Sequence, residues 1–368
     1  MVLATGAAVG VLASAYYLGS SPLLAVDETK GAPIDKDANW KEKWRARYND
    51  KIKNWSTPEK IFNVFATVRK NGESFMTVED FCDAILPADH RPPSEKGKIK
   101  RIPDFIRFAD LDGDELISFG EYSFFTTLLS LPEEHLKVAF QMFDLDGSGA
   151  ISKQEFRKVL RVLRKESPLG SQQTTHKKEV EKSGIYAHFF GLDGKKELTY
   201  TEFENFIKSL HQGVLQLEFD RYDSKGEGKI TARAFGMSVI GYVDPKDLPS
   251  FLTRVESLDN RKGELSFEDF VNFNRALKKL PEIGLAVKLY AQGDFGRAVK
   301  AISGVDLKPV QIDVIYHVLD KDGNGKLDHN ELVEVMAKRV EKGMAHHRDV
   351  GVARFVNCLV TCCSRKAL

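Results

Sequence analysis

The sequence predicts a mainly α-helical protein of tandem helix–loop–helix units, paired through short strands in their loops, with a further helix at each end. Three observations carry this. A unit of roughly 35 residues recurs along the chain, the sign of one supersecondary element used repeatedly. Each unit opens with an apolar, aromatic-rich segment and closes with one that starts near Glu or Asp followed by Phe. Between these segments lie polar loops, and those beginning at Asp110, Asp144 and Asp320 are rich in Asp and Gly.

Bulk properties exclude several classes. The 368 residues suffice for more than one core, and 42% hydrophobic with 29% charged is an ordinary globular balance. A net charge of +1 is too little acid for a bulk cation store. It also leaves no basic excess for phosphates, so no nucleic-acid partner is expected. Of the cysteines, Cys82 stands alone, and Cys358, Cys362 and Cys363 crowd the end of the chain. That is not the layout of a disulfide-stapled small domain.

The ends differ from the middle. Residues 1–26 carry no charged side chain and read as an apolar targeting or membrane-anchor segment. A spanning helix needs about 20 apolar residues, whereas Ala13-Ser14-Ala15 fits a signal cleavage site, so both readings stand. Residues 27–60 form a linker and a basic, aromatic helix. Within it, Trp40, Trp44, Tyr48, Ile52 and Trp55 recur at helical spacing, and Lys43, Arg47 and Lys51 line another face. Ser56-Thr57-Pro58-Glu59 marks the next helix start, predicting a helix over 60–69.

The repeats fall into two regions: 61–165, with two acidic loops, and 184–342, mostly degenerate with one. Residues 166–183 are a polar linker, and 343–368 a helical tail. Degenerate loops align near Arg69, Gly191, Asp223 and Leu258, with a further degraded unit around Tyr290. Each working loop is expected to pair with a degenerate one through its central aliphatic residue.

The loop chemistry points to calcium, which takes six to eight oxygens at flexible distances. A twelve-residue EF-hand loop supplies them from positions 1, 3, 5, 7 (a carbonyl) and 12, with glycine at position 6 for the sharp turn. Asp144, Asp146, Ser148, Gly149, Ala150 and Glu155 fill these positions, as do Asp320, Asp322, Asn324, Gly325, Lys326 and Glu331. In the loop 110–121, Asp110, Asp112, Asp114, Leu116 and Glu121 fit, but position 6 is Glu115. A side chain in the left-handed conformation costs roughly 1–2 kcal/mol, so this loop is expected to bind more weakly. The Asp223 loop has Lys225 at position 3 and Ala234 at position 12. The Gly191 loop has Lys195 and Lys196 at positions 5 and 6, and the Leu258 loop lacks a first carboxylate. These read as structural partners rather than sites. No nucleophile elbow, phosphate loop or metal-hydrolase motif is visible, so no enzyme is expected.

Beyond the generic loops, several stretches are specific. They are Trp55-Ser56-Thr57-Pro58-Glu59-Lys60-Ile61-Phe62, Leu116-Ile117-Ser118-Phe119, Ala139-Phe140-Gln141-Met142-Phe143-Asp144 and Leu217-Glu218-Phe219-Asp220-Arg221. On these the chain resembles the mitochondrial calcium uptake proteins, EF-hand regulators of the inner-membrane calcium uniporter. The well-formed loop at Asp110 makes it look like a plant-type or protist-type member. The resemblance implies a calcium sensor at the mitochondrial inner membrane, facing the intermembrane space. Such a sensor blocks the uniporter channel at low calcium and permits uptake when calcium is bound. It implies channel contacts through Tyr48, Lys51, Lys53 and Lys60, although Asn63 and Asp83 stand where the family has arginines. It further implies contact with the inner-membrane surface, and a homo- or heterodimer with an EF-hand paralogue, for which Cys362 is the disulfide candidate. A secretory-pathway or other EF-hand sensor or buffer is the alternative. Against it stand the modest acidity and an ending, Arg365-Lys366-Ala367-Leu368, that is no retention signal.

Overall fold

The structure, a computed structural model, describes residues 58–342 apart from 71, 88–90, 92–105, 107–109, 111–114, 132, 166–183, 244–246, 259–262 and 290–294. The apolar segment 1–26, the helix expected at 40–55 and the tail 343–368 lie outside the described residues.

The first helix, α1, spans Pro58–Phe65. It opens on proline, whose fixed φ suits the first turn and whose missing N–H is not needed there. The sequence predicted helix to residue 69. The chain instead turns at Phe65 into a hairpin of β1 (Val68–Lys70) and β2 (Glu73–Phe75), in which Val68 pairs with Phe75. The degenerate loop near Arg69 is thus closed by its own ladder rather than by a metal. Helix α2 (Val78–Ile85) follows, capped by Thr77, whose side chain accepts from Asp80 N–H.

The next helices are α3 (Phe119–Leu129), α4 (Leu136–Phe143), α5 (Lys153–Lys165) and α6 (Gly184–Phe190), with β3 (Ala150–Ile151) between α4 and α5. Strand β4 (Leu198–Thr199) leads into the long helix α7 (Tyr200–Tyr222). Then come β5 (Lys229–Thr231), α8 (Ala232–Val239), α9 (Leu248–Glu256), β6 (Glu264–Ser266) and α10 (Phe267–Leu277). The order ends with α11 (Leu280–Leu289), α12 (Phe295–Ser303), α13 (Pro309–Leu319) and α14 (His329–Lys342). No helix among the described residues is long and apolar enough to cross a membrane.

Loop pairing follows the repeat. Met76, the eighth residue of the Arg69 loop, bridges Ile117, the eighth of the Asp110 loop, by two backbone hydrogen bonds of 2.9 and 2.8 Å. Ile151 pairs with Leu198, joining the loops 144–155 and 191–202. Ile230 pairs with Leu265, joining two degenerate loops. All six of these aliphatic residues are buried. The loop 320–331 has no strand among the described residues. Its neighbouring unit is α11 and α12, which flank 290–294. That unit packs through a close helix approach: a Cβ on Gly284 would lie 2.8 Å from Val333 Cγ2 and 3.0 Å from His329 Nδ1. Glycine alone fits there, and its carbonyl oxygen lies 2.8 Å from His329 Nδ1.

Apolar side chains gather into two cores. One runs from Ile61 to Leu217 and is rich in edge-to-face aromatic pairs such as Phe81 with Phe125 and Phe156 with Phe189. The other runs from Phe219 to Met336. They meet within α7. The linker expected at 166–183 lies outside the described residues. Polar ties cross between the two halves: Arg221 donates to Asp83 at 2.6 Å, and Lys278 to Glu133 at 2.7 Å. Arg91, 3% exposed, stacks 4.7 Å from the Tyr222 ring centre and donates to the carbonyls of Arg221 and Tyr222 at the end of α7. Asp83 therefore holds a structural partner.

Candidate metal centres

Each acidic loop is built by its flanking helices. In the loop 144–155, α4 ends at Phe143 and presents Asp144; α5 begins just after Ser152 and presents Glu155. Asp144 organises the turn, its Oδ2 accepting Gly149 N–H and its Oδ1 accepting Ser148 N–H, both at 2.9 Å. Gly149 sits at φ 87°, the left-handed conformation that favours glycine. Ser152 and Glu155 form a capping box, in which Glu155 Oε2 accepts Ser152 N–H at 2.8 Å and Ser152 Oγ–H at 2.7 Å. Glu155 Oε1 accepts Leu145 N–H at 2.9 Å and Asp146 N–H at 3.2 Å.

The loop 320–331 repeats this. Asp320 Oδ2 accepts Gly325 N–H and Oδ1 accepts Gly323 N–H, both at 2.8 Å. Asn324 Oδ1 accepts Lys326 N–H at 2.7 Å. Glu331 Oε1 accepts Lys321 N–H at 2.7 Å and Oε2 accepts Asp328 N–H at 3.1 Å. In both loops the end-position glutamate is buried, the carboxylate at position 1 is half-buried and that at position 3 is exposed.

Carboxylate oxygens of Asp144, Asp146 and Glu155 lie within 4.8 Å of one another, and so do those of Asp320, Asp322 and Glu331. Such crowding of like charge is unfavourable unless a cation sits among them or N–H groups point at them. Burial pushes Glu155 up, but donors from Ser152, Asp146 and Leu145 outweigh it and hold the acid below its usual range. Burial likewise opposes ionisation of Asp320, and the Gly325, Gly323 and Asn324 N–H groups with Asp322 lower it overall. Both groups stay ionised at neutral pH. An all-oxygen, charged donor set on a flexible loop fits calcium, which tolerates irregular coordination better than magnesium. Ala150 and Lys326 would add backbone carbonyls at position 7.

The third loop is described only in part. Asp112 and Asp114 lie outside the described residues. What is described keeps the pattern: Asp110 Oδ2 accepts Glu115 N–H at 2.9 Å, as Asp144 accepts Gly149. Leu116 sits at position 7, and Glu121 Oε2 accepts Ser118 N–H at 2.8 Å. Glu115 has φ 65°, the only non-glycine residue with positive φ among those described. The strain read from the sequence is present. Glu115→Gly is expected to tighten calcium at this loop about tenfold, within the roughly five- to thirty-fold that the 1–2 kcal/mol left-handed penalty spans. Calorimetry on the two chains checks it, and an unchanged affinity removes the strain argument.

The degenerate loops use other devices. Lys196 Nζ sits 2.8 Å from Glu202 Oε1 and lowers that acid, so an ammonium carries the charge a metal would bring. Lys308 Nζ meets Asp269 Oδ2 at 2.6 Å in the same way. Asp223 accepts loop N–H groups, from Gly226 and Gly228 at 2.7 Å and Glu227 at 3.1 Å. These lysine contacts were not foreseen. A lysine within a loop that keeps its end-position acid was the available signal at Lys196; nothing local marked Lys308. Of the expected channel-facing residues, Lys60 lies exposed on α1, whereas Tyr48, Lys51 and Lys53, like Cys362, lie outside the described residues.

Paired helix–loop–helix units carrying these acid clusters define an EF-hand protein. The EF-hand domain pair family matches residues 133–208, and the EF hand family matches 317–336. The chain is 30% identical to calcium uptake protein 1, mitochondrial, of Bos taurus, over 90% of this chain and 77% of that one. It is 33% identical to the calcium uptake protein, mitochondrial, of Arabidopsis thaliana, over 84% of this chain and 68% of that one. It belongs to the family of mitochondrial calcium uptake proteins. Among solved structures, that of EFHA2 in a Ca-binding state is similar with a TM-score of 0.57 and 26% identity, covering 76% of this chain and 98% of that one. The apo structure of the mitochondrial calcium uniporter protein MICU2 shares the fold, with a TM-score of 0.58 at 22% identity over 84% of this chain and 96% of that one.

Proposed function

We propose that this protein is a mitochondrial calcium sensor that regulates calcium uptake by binding the inner-membrane uniporter channel from the intermembrane side. It closes the channel at low calcium and permits uptake when calcium is bound. The observation that carries the reading is the pair of three-carboxylate clusters within an EF-hand framework belonging to this family. Calcium is held by Asp144, Asp146, Ser148, Ala150 and Glu155, and by Asp320, Asp322, Asn324, Lys326 and Glu331. The loop of Asp110, Asp112, Asp114, Leu116 and Glu121 is a third, weaker site. Calcium supplies a double positive charge where Glu155 and Glu331 now face loop N–H groups. Glu155 and Glu331, at the first turn of their exit helices, are the acids that would turn toward the ion, and sensor EF-hands open their helix pair on binding.

The channel is met by Tyr48, Lys51, Lys53 and Lys60, whose cations complement acidic residues at a pore mouth. Reversing Lys51, Lys53 and Lys60 to Glu together is expected to abolish low-calcium gating in mitochondria while calcium binding persists. Normal gating in that variant rules out this surface. Dimers form through Cys362, since the intermembrane space permits disulfides. On a non-reducing gel the dimer band is expected to vanish in Cys362→Ser and persist in Cys358→Ser; a dimer surviving the first change excludes the assignment.

A further inference from the structure

Arg339 lies on α14, eight residues beyond Glu331, which places it about 12 Å along a rigid helix. It is 4% exposed. Its guanidinium gathers four partners from three other segments. Nη2 reaches Glu218 Oε1 on α7 at 2.8 Å and Asn274 Oδ1 on α10 at 3.2 Å. Nη1 donates to the carbonyl of Ser238 at the end of α8, and the plane lies 6.0 Å from the Tyr242 ring centre. Glu218 is itself 6% exposed.

The position of Glu218 matters as much as its burial. Leu217 belongs to the first core and Phe219 to the second, so Glu218 stands where α7 crosses from one to the other. The far end of α7 starts at Thr199, which is paired with Ala150. Ala150 is the position whose carbonyl faces the first of the two complete acidic loops. An unbroken chain of backbone ladder, rigid helix and buried ion pair therefore runs between the two loops, along a helix of 23 residues, roughly 34 Å.

We propose that Arg339 is a positioning residue which, through Glu218, couples calcium occupancy of the loop 320–331 to that of the loop 144–155. The inference rests on the reading of both loops as calcium sites. Filling the loop 320–331 draws Glu331 away from Lys321 N–H and shifts the start of α14. Arg339 cannot stay behind, because a buried charge that loses its partner is strongly disfavoured. The movement is passed to Glu218 and along α7 to Thr199 and Ala150. A merely structural ion pair would stabilise the fold without linking the two affinities.

Titration calorimetry on the full chain tests this. The calcium affinity of the loop 144–155 is measured with the loop 320–331 intact and with it disabled by Glu331→Gln. The ratio of the two affinities is the coupling, expected to be at least about five-fold, the lower end of ordinary site–site couplings. The same ratio is then measured in Arg339→Met/Glu218→Leu, which removes both charges and leaves neither stranded. It is expected to fall close to one, with the affinity of the loop 144–155 in the Glu331→Gln background unchanged within about two-fold, the precision at which an absent coupling is read. Should that pair fail to fold, Arg339→Leu/Glu218→Met, which also removes both charges but with the other distribution of volume, gives the same comparison. A ratio that survives in the altered chain overturns the proposal. So does a ratio of one in the unaltered chain when both loops bind. Absence of calcium binding in the unaltered chain overturns the reading of the loops, and the proposal with it.

Discussion

Glu331→Lys is expected to delete the calcium-binding event of the loop 320–331, and Glu155→Lys that of the loop 144–155, the other event in each case remaining countable, at an affinity shifted by the coupling between the loops. Each glutamate is the end-position acid whose two oxygens close the coordination sphere. Each is buried, 8% and 5% exposed, and already surrounded by donors, so it cannot be replaced by water without strain. Lysine removes both oxygens and puts an ammonium beside two remaining carboxylates. Losing one partner of a buried, hydrogen-bonded charge pair costs about 2–5 kcal/mol or more, roughly thirty-fold in affinity and upward. The capping box at Ser152 or Asp328 is lost as well, a matter of about 1 kcal/mol in helix stability. Calorimetry that still counts both events in either variant refutes the ligand assignment for that loop.

Arg339→Met should be among the most destabilising single changes in the second core. It strands the Glu218 carboxylate at 6% exposure, and breaking a buried pair from one side typically costs about 3–5 kcal/mol. The paired change Arg339→Met/Glu218→Leu is expected to recover most of that loss, because apolar replacement of a buried ion pair is often neutral. Arg339→Lys falls between, since an ammonium cannot span Glu218, Asn274 and the Ser238 carbonyl as a planar fork does. Urea unfolding followed by fluorescence and by circular dichroism measures this, two probes being needed because two cores need not unfold together. A single-variant loss below about 1 kcal/mol would mean that solvent reaches the pair, since exposed pairs are worth that little.

The acidic loops were legible because calcium demands oxygens at fixed positions, and nothing else in the loop is free to vary that spacing. The short strands were legible for the same reason: the eighth residues Ile117, Ile151, Ile230 and Leu265 are aliphatic because each must be buried opposite a partner. Even the left-handed strain at Glu115 followed from its place in the loop. Other features were not readable along the chain. The helix expected to reach residue 69 stops at Phe65, because Val68–Phe75 closes on itself as a hairpin, a choice that local propensity does not settle. Arg339 and Glu218 stand 121 residues apart, and each alone reads as an ordinary surface charge. Only the fold, which brings the Arg339 side chain on α14 to Glu218 on α7, makes them a buried pair. Lys308 reaches Asp269 across 39 residues, for which sequence offers no local sign.

The lysines on Glu202 and Asp269 have a consequence for what the molecule measures. A tethered ammonium is present at a fixed local concentration, whatever the composition of the surrounding fluid. One of these lysine-held hands shares a β-ladder with a calcium loop, and the other is gripped from Lys308, the residue that caps the entering helix of the second calcium hand. The loop 144–155 is therefore mounted against a neighbour whose acid is already met from within, and the entering helix of the loop 320–331 is tied to another. On the proposed function, calcium at those loops would act against a built-in reference, much as a balance needs one pan of constant weight.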